Sequence, residues 1–226
     1  MKKLFTLILS LFILQANAQD CGYMDRLDKD DQWAYNTYNA KDKLEGSIDY
    51  KVTNTRESDD SSIVELDMTV TDKKDESMNL TYEMACINGT VYVDMDRMIG
   101  PMIEQMQGME FEVQSDQIEI PSNLNVGDVL PEASITVTAG MNGVTFMTMT
   151  VVVKDRKVTA IETITTPAGT FECYVIEQTT EIQNRMMSKS TTSKEWYSPE
   201  NGMVRSESYK SNGKLENYSV LTEANF

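Results

Sequence analysis

Apolar and polar residues alternate with a period of two along most of this sequence, and no other pattern in it narrows the possible folds as far. Ile48, Tyr50 and Val52 alternate with Asp49 and Lys51; Val64, Leu66, Met68 and Val70 alternate with Glu65, Asp67 and Thr69; Leu80, Tyr82, Met84 and Cys86 repeat the pattern. Successive strand side chains point to opposite faces, so this period specifies strands with one buried face. Asn-Gly pairs at 88–89, 142–143, 201–202 and 212–213 punctuate the runs. Such pairs suit the positive φ angles of two-residue hairpins. Pro167-Ala168-Gly169 adds a further turn, proline setting φ and glycine supplying freedom. The spacing predicts strands near 33–39, 46–55, 62–71, 78–86, 90–94, 110–119, 134–139, 144–154, 157–166, 170–181, 186–197, 203–210 and 215–222, with a polar loop over 121–129. Strands joined by short turns build antiparallel meanders, so the class is mainly β. Neither a Gly-rich phosphate loop nor a βαβ rhythm is present.

The amino terminus follows a different pattern. Lys2 and Lys3 precede an apolar run from Leu4 to Leu14, and Ala16-Asn17-Ala18 forms a small-x-small cleavage site. This predicts a cleavable signal peptide over 1–18 and an exported, periplasmic or secreted product comprising one β-rich domain over 19–226. The run is short of the roughly 20 residues that a membrane-spanning helix needs, and no second span follows. Gln19 and Asp20 stand where lipoprotein processing needs small residues, so Cys21 does not read as a lipidation site.

Composition excludes several function classes. Removing the signal, which carries two lysines and no acid, takes the net charge from −16 to −18. A body this acidic repels phosphate backbones, so no nucleic-acid partner is expected. The chain has no histidine. Histidine-based triads and dyads are therefore impossible, and the commonest metal ligand is missing. No metal, cofactor or catalytic residue is assigned, and the chain is read as a non-enzyme. Three cysteines enter an oxidising compartment: Cys21, Cys86 and Cys173. Cys86 and Cys173 sit in strand-like runs and are the favoured disulfide pair; Cys21 with either partner, or no bridge, remain open.

One segment departs from the period of two. Met95, Met98, Met102, Met106 and Met109 recur at helical spacing, which predicts one short Met-rich helix near 95–108, interrupted at Gly100-Pro101 and ended by Gly108. Methionine fills irregular cores, and it also lines adaptable binding surfaces. Soft-metal binding needs convergent ligands, which a stripe along one helix does not give. These five methionines, with Trp196, are the candidate lining of an apolar pocket.

TTPAGTFECY over 165–174, EWY over 195–197, GMVRSE over 202–207, IPSNLNVGD over 120–128 and WAYNTYNAKDKLEGSIDYKV over 33–52 occur in this order. Together they resemble the TapB-like family of exported bacterial proteins, a domain of unknown function. The resemblance implies an antiparallel sheet curled into a barrel or half-barrel, similar in outline to the periplasmic lipoprotein carriers. It implies no activity and transfers no functional residue. The expected function is an exported, non-enzymatic protein that binds a lipid or other apolar ligand in a curled sheet. The alternative is a structural or protein-interaction module of the cell envelope without a ligand cavity.

Overall fold

The computed structural model describes residues 20–58, 61–94, 103 and 108–225. The strands are β1 Gln32–Asn39, β2 Leu44–Glu57, β3 Ser61–Asp72, β4 Ser77–Ile87, β5 Thr90–Val93, β6 Glu110–Ser115, β7 Ile118–Pro121, β8 Ala133–Met141, β9 Val144–Thr166, β10 Gly169–Asn184, β11 Ser188–Ser198, β12 Gly202–Tyr209 and β13 Leu215–Asn225. All belong to one 13-stranded sheet in the order β6-β8-β9-β10-β11-β12-β13-β1-β2-β3-β4-β5-β7, and their pairings are antiparallel. The mainly β class and the hairpin series stand as read from the sequence. Asn88-Gly89 and Asn142-Gly143 both adopt positive φ at each residue (52° and 74°, 51° and 74°), as the hairpin turn requires. The predicted Met-rich helix falls almost wholly on 95–102 and 104–107, and the signal peptide on 1–18; both lie outside the described residues.

Two predicted boundaries move, for local reasons. The expected strands 144–154 and 157–166 are one strand, β9. Asp155, at φ 55°, forms a bulge between them instead of a turn, and the register with β10 shifts at Glu177/Thr179. Aspartate tolerates that conformation better than most residues, and the bulge bends the strand without ending it. The expected strand 110–119 divides in the opposite sense. Its first half, β6, pairs with β8; its second half, β7, pairs with β5.

That division gives the molecule its shape. β6 and β7 are the two ends of the sheet, yet only Asp116 and Gln117 separate them in the chain. The sheet must therefore curl until its ends meet. They meet along a continuous segment and not through a closing ladder, so the structure is a curled sheet not closed into a barrel. Asp116 extends the β6–β8 pairing by one residue: its N–H donates to the Ser134 carbonyl (2.8 Å), and its carboxylate accepts from the Ser134 hydroxyl (2.7 Å).

The largest core lies on the face carrying Trp33 and Tyr35 of β1, Val52 of β2, Val64, Leu66 and Met68 of β3, and Leu80, Tyr82 and Met84 of β4. The amino-terminal segment packs into it. A 3-10 turn, Gly22–Arg26, buries Met24 (2% exposed), and Leu27 follows (5%). Cys21 bonds to Cys86, with their Cα atoms 6.0 Å apart. This corrects the favoured Cys86–Cys173 pairing: β4 and β10 are far apart in the strand order, and the amino-terminal segment brings Cys21 onto β4 instead. Cys173 is a buried free thiol.

Candidate functional site

The pocket candidates do not converge on one place among the described residues. Met95, Met98, Met102 and Met106 lie outside those residues. Met109 is half-buried at the start of β6. Trp196 is buried on β11, where its indole Nε1 donates to Glu162 Oε2 of β9 (2.8 Å) and it packs with Cys173, Val175 and Val204. Its neighbour Tyr197 points to the opposite face and packs with Leu124, Leu130, Val158 and Ile176. β11 is thus buried on both faces here, where the alternation had implied one. Burial pushes the Cys173 thiol up to about 11, with the Glu172 carboxylate adding to it, so this cysteine is a poor nucleophile.

The rings of the main core surround a small space. Trp33 stacks on Tyr50 at 5.0 Å, and Tyr35 and Tyr82 meet Tyr50 edge-on at 5.8 and 6.4 Å. With Tyr23, Met84, Asn201, Gly202 and Met203 they border a cavity of about 90 Å³. The hydroxyls are used locally: Tyr35 donates to the Met203 carbonyl (2.7 Å) and Tyr23 to the Met84 sulfur (3.4 Å). Burial raises Tyr23, Tyr35, Tyr50 and Tyr82 above the ordinary tyrosine range, so the ring cluster stays neutral. This space has room for a guest of a few heavy atoms.

A buried polar group stands at the seam. Arg156 of β9 is 2% exposed. Its Nη1 donates to the Glu119 carbonyl on β7 (3.1 Å) and the Pro131 carbonyl (2.8 Å), and its Nε donates to Gln178 Oε1 on β10 (3.2 Å). Gln178 Nε2 then donates to Glu195 Oε1 on β11 (2.8 Å). Burial raises the Glu195 carboxyl, while Arg156 and Gln178 pull it down. These contacts join one end of the sheet to the strand third from the other end. Sequence reading missed this group, because Lys154-Asp155-Arg156-Lys157 looks like a solvated charge run. The bulge at Asp155 breaks the alternation and turns Arg156 inward.

A second polar array crosses β11, β12, β13 and β1. The Arg205 guanidinium lies 4.6 Å from the Tyr218 ring centroid and 5.8 Å from that of Trp196, and Tyr218 stacks on Tyr38 at 5.3 Å. Glu207 accepts two bonds from Arg205 (2.9 and 2.7 Å) and one from the Tyr209 hydroxyl. Every charge here has a partner, as a structural ladder requires. Beside it, Asp155, Glu177, Thr179, Thr192, Lys194 and Tyr209 line an open groove of about 300 Å³. Lys194 is paired with Glu177 at 2.7 Å. Among the described residues, no group of three or more His, Cys, Asp or Glu side chains could hold a metal ion, and no helix is long and apolar enough to cross a membrane.

A family model described as DUF3108-like matches residues 29–221. This gives the resemblance seen in TTPAGTFECY and EWY its family; the match does not carry the TapB-like name. A solved protein of Parabacteroides distasonis, named as a lipoprotein, superposes with a TM-score of 0.74 at 25% identity, over 91% of this chain and 99% of its own. A protein of Bacteroides fragilis, named for export and for a YmcC-like fold, superposes with a TM-score of 0.70 at 23% identity, over 88% of this chain and 97% of its own. No curated protein matches the sequence.

Proposed function

The chain belongs to the DUF3108-like family, and from that footing we propose that it is an exported, non-enzymatic module of the cell envelope that works through its outer surface. Its place is the periplasm or the exterior, reached through a cleavable signal over 1–18, with residues 19–226 acting as one unit. Export agrees with the names of the two structural relatives. The bond from Cys21 to Cys86 occupies the sulfur that a lipid thioether would need, which favours an unlipidated product.

The filled inner face carries this reading. A lipid carrier needs a hollow there, but Met24, Leu27 and the Cys21–Cys86 bond fill that face from the amino-terminal side, and Leu124 and Leu130 pack beside it. The space among the rings, about 90 Å³, falls well short of the roughly 300–1,000 Å³ typical of ligand pockets. The apolar-ligand reading keeps a foothold in that ring-lined space for a small guest. A pocket under Met95, Met98, Met102, Met106 and Met109 remains a proposal of the sequence.

Titration with a fluorescent fatty acid tests the choice. An outward-working module gives no saturable signal that unlabelled fatty acid displaces. Saturable, displaceable binding at one equivalent would restore the carrier reading.

A further inference from the structure

Exposed apolar side chains gather at one end of the sheet. Met141 (47%), Val144 (66%), Phe146 (52%) and Met147 (42%) surround the Asn142-Gly143 turn between β8 and β9; Met186 (94%) and Met187 (52%) form the turn between β10 and β11. Asn184 opposite Met149 sets the β10–β11 turn beside the base of the β8–β9 hairpin. β9 runs on from Met149 to Val144 with β8 as partner but none from β10, so the hairpin stands clear by about 17 Å at roughly 3.3 Å per residue. Residues 141–148 are all exposed. Val144 and Phe146 lie on one face of the hairpin, and Thr145 and Met147 on the other. Residues 133–153 carry no charge, in a chain that is 25% charged. Arg185 and Lys189 flank the neighbouring turn, Lys189 lying 3.7 Å from Glu216, and Glu110 accepts a bond from the Gly143 N–H (3.1 Å).

We propose that this end of the sheet docks onto a phospholipid bilayer surface. The inference rests on the outward-working reading and names its partner. An added strand, or a second copy paired along the open edge of β9, would satisfy backbone groups but leave both apolar faces in water. A bilayer interface surrounds both faces at once, and its headgroup water still hydrates the open edge. Residues 133–153 bring no charge of their own into it, and Arg185 and Lys189, at the base of the hairpin, lie where lipid phosphates would be. The exported chain's net charge of −18 lies outside residues 133–153, so an anionic surface disfavours approach by the acidic segments more than by this hairpin.

Sedimentation of the full exported chain with vesicles of phosphatidylethanolamine and phosphatidylglycerol tests this. The unaltered chain is expected to sediment with the vesicles. Phe146→Asp and Met186→Asp should each weaken binding by about tenfold or more, whereas Ile161→Asp, at an exposed isoleucine toward the other end of β9, should not. Unchanged thermal melts would show that the variants still fold. Absence of sedimentation, equal binding by all variants, or a dimer that Phe146→Asp dissociates without vesicles would each overturn the proposal. None of these outcomes would alter the fatty-acid titration, so the outward-working reading stands or falls separately.

Discussion

Arg156 is the residue on which the seam most depends. It is a buried cation whose donors reach two backbone carbonyls and one side-chain oxygen on three different segments. Removing one partner from such a set strands the others, at a cost of about 3–5 kcal/mol. Arg156→Ala should therefore lower the unfolding free energy in urea by at least about 3 kcal/mol; a loss under about 1 kcal/mol would mean that the seam holds by other means. Glu195 gives the same group a pH signature. Burial raises its folded pKa above the unfolded value. A carboxyl shifted this way contributes stability that is full below the ordinary glutamate value of about 4.3 and is lost as pH rises through the folded value. Glu195→Gln should flatten that fall in melting temperature, while Gln178 retains an acceptor. An unchanged slope would show that Glu195 is solvated.

At the scale of elements, the strands were legible and their partners were not. Alternation such as that of Val64 to Val70 is local, so β3 and its neighbours could be read within a residue or two. The switch at Asp116–Gln117 depends on which edge each half of the segment meets, and no local pattern encodes that. The bulge at Asp155 hid in a charged run, and with it the inward turn of Arg156. The sequence leaves Cys21 only as an alternative disulfide partner, because nothing in its flanks shows that the segment folds back onto β4. That segment is the element whose loss should cost most. Its disulfide closes a loop of 65 residues, which in the chain-entropy account stabilises by about 4 kcal/mol. Cys86→Ser should lower stability by about that amount and expose Gly22–Arg26 to proteolysis, whereas Cys173→Ser should leave the segment protected. Equal protection of the segment in both variants would contradict this anchoring role.

At the scale of the whole molecule, a sheet of thirteen strands curls until its ends share one segment, and Met24 and Leu27 of the amino-terminal segment pack into its largest core. The class of fold could be read from the sequence because it is written in short patterns. The filling of the interior could not, since it depends on where Met24, Leu27, Leu124 and Leu130 land after the sheet has curled. This filling separates an outward-working module from a carrier. Native mass spectrometry of the protein purified from its own host measures it most directly. The expected mass is that of the processed polypeptide less two hydrogens for the Cys21–Cys86 bond, with no bound molecule. A stoichiometric lipid or other apolar ligand, released only on unfolding, would contradict the account.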